Sequence, residues 1–202
     1  MRFPALAALA VVISVLIVLA SPAPETLAAW PGRNGVIDFT SDTGITTMSD
    51  GGARREAVTL SEDDFGPKWS PDGRQIAFQR TDEVWVVNAD GTDARMVTPG
   101  SYSTWTPDFR LLVTSPDRDL LIVSLQGAVV ANLTNTPAIA EFDGAMSPDG
   151  RLIAYLSNED PAGDPNNPTA GLTGNMWIMD FDGQNRGILW ENNSGALVGS
   201  PA

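Results

Sequence analysis

The sequence predicts an all-β fold, a β-propeller of four-stranded antiparallel blades, and three observations predict it. A motif returns three times, as "WSPDGRQIAF" (Trp69–Phe78), "WTPDFRLLVT" (Trp105–Thr114) and "MSPDGRLIAY" (Met146–Tyr155). Trp69, Trp105 and Met146 are spaced by 36 and 41 residues, a period that accommodates four short strands and their turns. Nineteen glycines and fifteen prolines in 202 residues suit frequent tight turns better than long helices.

Each part of the repeat has a physical reason. Pro71 presets φ for the first central turn residue, Asp72 accepts hydrogen bonds from nearby donors, and Gly73 takes the left-handed position; Pro148, Asp149 and Gly150 repeat the device. These six residues are expected to be structural. In the strand that follows, Ile76 and Phe78 point to one face and Ala77 to the other, so a blade can pack on both sides. A second turn recurs as "NADGT" (Asn88–Thr92) and "DFDGQ" (Asp180–Gln184), with "SDGGA" (Ser49–Ala53) as a degenerate copy.

Blades are expected at 30–64, 65–101, 102–140 and 141–195, with 196–202 starting a further one. The first lacks its opening strand and supplies only "GVIDFT", "GITTMS" and "EAVTL". Two readings follow. Either the tail pairs with residues 36–40 and completes a four-bladed ring, or the chain is part of a larger ring; the second is preferred.

Composition excludes several chemistries. With no cysteine and no histidine, neither a Ser-His-Asp triad, a Cys-His dyad nor a common zinc site can form. A net charge of −13 argues against a nucleic-acid partner. Residues 1–29 read as a signal peptide: Arg2, an apolar run from Ala5 to Ala20, then "SPAP" and "TLAA". The apolar run has 16 residues, short of the about 20 that span a bilayer. The expected location is periplasmic or secreted. The alternative is an uncleaved anchor holding the propeller outside the cytoplasm, the one route to a membrane.

The series "WSPDG", "IAF", "NADG" and "MVT" resembles the TolB-like, WD-repeat-like propeller module of exported bacterial proteins. The resemblance spans about residues 30–202. It implies a non-catalytic scaffold whose loops bind a protein or other ligand. It also leaves two alternatives: the propeller part of a prolyl-oligopeptidase-like hydrolase, or of a polysaccharide lyase. The third copy departs from the pattern, because Phe109 replaces the turn glycine and "SLQG" the second turn.

In a propeller, the loops leading into each first strand and those joining strands two and three share one face. Here they hold Glu62, Asp63, Asp64, Asp82, Glu83, Asp117, Asp119, Glu141, Asp143, Glu159, Asp160, Asp164 and Glu191, thirteen acids, against two bases, Arg80 and Arg118. The opposite face, which includes Arg186, is nearly balanced. The acidic face is the candidate surface for a basic protein or cationic ligand. No cofactor is expected, and Ca²⁺ is the ion that the oxygen-rich loop from Ser157 to Asn175 would suit.

Overall fold

Strand Gln75–Arg80 is buried from both sides. Ile76 and Phe78 pack with Ile45 and Val58, while Ala77 packs with Trp105, Leu111 and Val113 on the other face. Such a strand belongs inside a stack of sheets. The computed structural model, which describes residues 35–49, 51–159 and 175–190, is that stack.

The first sheet holds β1 (Ile37–Ser41), β2 (Gly44–Met48) and β3 (Arg55–Ala57). The second is β4 (Asp64–Trp69), β5 (Gln75–Arg80), β6 (Glu83–Asn88) and β7 (Arg95–Pro99). The third is β8 (Ser101–Trp105), β9 (Leu111–Thr114), β10 (Leu120–Val123) and β11 (Val129–Asn132). The fourth is β12 (Glu141–Met146), β13 (Leu152–Ser157), β14 (Asn175–Asp180) and β15 (Gly187–Trp190). Every pairing is antiparallel between strands adjacent in sequence, and the described residues contain no helix.

The motif residues build the turn after each first strand. Ser70 Oγ donates to Asp72 Oδ1 at 2.7 Å and accepts the Gln75 N–H at 3.0 Å, with Gly73 at φ 68°. Ser147, Asp149 and Gly150 repeat this, Ser147 Oγ donating to Asp149 at 2.7 Å. Hydrogen bonds from Ser70 and Ser147 hold the Asp72 and Asp149 carboxyls below the ordinary aspartate range. Phe109 keeps the same left-handed turn at φ 63° although it is not glycine. The third sheet shows its departure elsewhere, in strands of four or five residues.

Three apolar clusters fill the gaps between consecutive sheets. Ile45, Val58, Ile76, Phe78 and Val87 join the first to the second. Ala77, Val84, Val86, Trp105, Leu111 and Val123 join the second to the third, and Leu112, Leu120, Ile122, Ile153, Tyr155 and Met179 the third to the fourth. Trp105 is a core residue, 3% exposed, and its Nε1 donates to the Lys68 carbonyl at 3.0 Å.

Packing joins β1 and β2 to β4, β4 to β6 with β8, and β8 to β10 with β12. Among the described residues no comparable packing joins the first sheet to the last. The expected signal peptide, residues 1–29, and the tail expected to start a further blade, residues 196–202, lie outside the described residues.

Candidate loop-face site

The loops at the acidic end are bonded to one another through the main chain. The Gly100 N–H donates to the Asp82 carbonyl at 2.8 Å, and the Glu141 N–H to the Arg118 carbonyl at 2.8 Å. In each pair, a residue leading into or opening one sheet's first strand bonds to the turn between strands two and three of the sheet before it. This confirms that the two loop sets share one end of the stack.

The first strand of each four-stranded sheet carries a bulge beside this end. Register shifts fall between Phe65 and Lys68, between Tyr102 and Thr104, and between Phe142 and Ala145. Gly66 at φ 62° and Asp143 at φ 53° supply the left-handed residue in two of them.

The predicted acids divide into three groups. Glu62, Asp63, Asp82 and Asp117 are exposed, and none has a salt-bridge partner among the described residues. Glu83, Asp119, Asp143 and Glu159 are half-buried. Asp64 and Glu141 are fully buried, which corrects their assignment to the loop surface. Asp160, Asp164 and Glu191 lie outside the described residues.

Register explains the two buried acids. Asp64 opens β4 directly opposite Arg80 in β5, and Arg80 Nε and Nη2 donate to its two oxygens at 2.6 and 2.9 Å. The hydrogen bonds from this pairing raise the Arg80 pKa further, and the guanidinium lies 4.3 Å above the Trp85 ring. Glu141 opens β12 opposite Ser157, which offers no charge. Its Oε1 accepts from Thr136 Oγ1 at 2.5 Å and lies 3.6 Å from Arg186 Nη2, while its Oε2 is buried with no hydrogen-bond partner. Burial pushes the Glu141 carboxyl above the ordinary glutamate range, against the hydrogen bond from Thr136 and the Arg186 charge.

Arg186 corrects the charge count. Its turn places it with the opposite face, yet its side chain reaches back to the acidic end. Nε donates to Tyr155 Oη at 2.9 Å and Nη2 to Glu159 Oε2 at 2.6 Å, with the Tyr155 and Trp177 rings each 5.9 Å away. Asp119 is also engaged internally. It accepts the Thr136 N–H at 3.0 Å and Asn132 Nδ2 at 2.7 Å, and so shapes the loop before β12.

A cavity of about 520 Å³ opens between these loops, lined by Asp82, Gly100, Ser101, Thr114, Ser115, Pro116, Arg118 and Phe142. Thr114 Oγ1 is buried without a partner. Arg118 is exposed on its turn at φ 67°, with no salt bridge among the described residues. Of the predicted acids among the described residues only Asp82 lines the opening; the serines, threonine and Phe142 carry no sequence signal that sets them apart. Among the described residues no group of three or more acidic side chains is placed to hold a metal ion.

No family model matches the chain. The Tol-Pal system protein TolB of Zymomonas mobilis is 38% identical over 72 residues, 31% of this chain and 16% of that protein. A Tricorn-like protease C-terminal subunit of Sulfurisphaera tokodaii is 27% identical over 148 residues, 66% of this chain and 17% of that protein. The chain thus matches less than a fifth of the length of either relative, 16% and 17%. Among solved structures it is similar to a TolB from Agrobacterium tumefaciens, with a TM-score of 0.60 and 17% identity over 77% of this chain and 60% of that one. It is also similar to an oligogalacturonate lyase from Vibrio parahaemolyticus, with a TM-score of 0.53 and 15% identity over 79% of this chain and 50% of that one. Those identities speak for fold alone. Sequence and fold agree on one conclusion: the chain is a TolB-like propeller, and not TolB itself.

Proposed function

We propose that the chain is a non-catalytic, exported scaffold whose acidic loop face binds a basic protein or other cationic ligand. One observation carries this reading. Asp64, Glu141 and Glu159 are paired with arginines inside the fold, whereas Glu62, Asp63, Asp82 and Asp117 stay exposed without salt bridges among the described residues, and Asp82 lines a cavity of about 520 Å³. Exposed like charges that the fold leaves unneutralised create a field that speeds encounter with a cation and weakens with salt. The likeness to a Tol-Pal system protein supports a protein partner and an envelope location, periplasmic or secreted.

The experiment compares the full chain with the variant Asp63→Asn/Asp82→Asn/Asp117→Asn. Both are used to capture partners from the source envelope, and the captured partner is then titrated at low and high salt. The reading expects binding that salt weakens and the variant loses. Equal binding by both proteins would leave the face as a solvated surface only.

A further inference from the structure

The three interfaces between consecutive sheets are one contact repeated. Ile45, Val84 and Leu120 on one sheet meet Val87, Val123 and Met179 on the next, and all are at most 1% exposed. A glycine from the turn between strands three and four closes each contact. A Cβ on Gly91 would stand 2.8 Å from the Val58 carbonyl oxygen, on Gly127 2.5 Å from that of Val97, and on Gly183 2.7 Å from that of Leu133. The covered residues Val58, Val97 and Leu133 are 8%, 7% and 8% exposed.

Two positions of this series have no mate among the described residues. Gly52 follows Ser49 as Gly91 follows Asn88, with the Gly52 N–H bonded to the Ser49 carbonyl at 2.8 Å and φ at 72°. Among the described residues nothing lies within 4 Å of where its Cβ would be. At the other end, Leu189 is the extra residue in the β14–β15 pairing, as Val97 is in β6–β7, yet it is 55% exposed.

The faces beside these two positions are uncovered in the same way. Ile37 pairs with Met48 as Ile76 pairs with Val87, but Ile37 is 46% exposed and Ile76 0%. Ala154 pairs with Ile178 as Ala77 pairs with Val86. The first two are half-buried, and the second two are fully buried. One end of the stack therefore carries Ile37, Phe39, Met48 and the Gly52 turn. The other carries Ala154, Met176, Ile178 and Leu189, in the register that the internal contacts use.

We propose that a second copy of this chain occupies these faces, the first sheet of one copy seated on the fourth sheet of the other, with the Gly52 turn over the Leu189 carbonyl. A second copy presents both halves of the contact in matching register. The contact is head-to-tail, and two copies joined at both ends close into a ring of about eight blades, within the range that propellers form.

Sedimentation of the full chain over a concentration series tests this, with Gly52→Asn and Leu189→Glu as variants. Asparagine tolerates a left-handed φ, and both sites face open space, so each variant should melt like the parent monomer. The wild type is expected to dimerise, and each variant to dimerise at least about tenfold more weakly. A mixture of the two variants should regain a dimer, because each keeps the face that the other has lost. Both variants retain residues 1–29, so association through the apolar leader would survive in them. A wild type that stays monomeric, a dimer indifferent to both substitutions, or a mixture that fails to recover would each overturn the proposal. Residues 191–202 folded over Leu189 would show as the first of these outcomes, with β15 protected from hydrogen exchange in the monomer.

Discussion

Arg80 grips Asp64 through two parallel hydrogen bonds of 2.6 and 2.9 Å, and the carboxylate it holds has no exposure to solvent. The pair ties the start of β4 to the end of β5 beside the loop face. Asp64→Ala would leave the partly buried Arg80 guanidinium without its bidentate partner and is expected to cost about 3 kcal/mol by chemical denaturation. Arg80→Lys should recover little of the effect of Arg80→Ala, because a single ammonium cannot reproduce the two-pronged bond.

Glu141 predicts a pH dependence of known sign. Its folded-state pKa is raised, so the folded chain holds that proton more tightly than the unfolded one. The stability it contributes is complete below the ordinary value of 4.5 and is lost as pH rises through the folded value. Glu141→Gln should therefore melt above the wild type at neutral pH, and the gap should narrow in acid. Thermal melts across that range check it, and parallel curves would contradict it.

Phe109 occupies a left-handed turn position where Gly73 and Gly150 stand in the sister turns, and the residue is 44% exposed. The left-handed conformation costs a non-glycine residue about 1–2 kcal/mol, and a glycine there adds back entropy to the unfolded chain. Phe109→Gly should yield a net gain of about 0.5–1 kcal/mol in urea unfolding.

Gly127 and Gly52 form a matched pair. Alanine at Gly127 meets the Val97 carbonyl oxygen at 2.5 Å as well as an unfavourable φ of 82°, whereas alanine at Gly52 meets only the φ term. Gly127→Ala should cost about 2–3 kcal/mol and Gly52→Ala about 1 kcal/mol, read from monomer denaturation midpoints.

The blades were legible because period, turn chemistry and alternation all specify the same strands, as at Pro71–Gly73 followed by Gln75–Arg80. The site was legible as a face and not as a set of residues. Asp63 and Asp64 are adjacent acids that composition cannot separate, yet strand register buries one against Arg80 and leaves the other in water. Arg186 belongs to one face by its turn and to the other by the reach of its side chain to Glu159.

The main-chain bonds from Gly100 to Asp82 and from Glu141 to Arg118 run from one blade to the next along the loop face. Their consequence is kinetic. The backbone at these points is ordered when the chain folds, so a visiting partner does not have to immobilise it. On the proposed reading, recognition at this rim should behave as rigid docking: substitutions among the exposed carboxylates would slow capture, and residence time would be set by what fills the cavity that Asp82 lines.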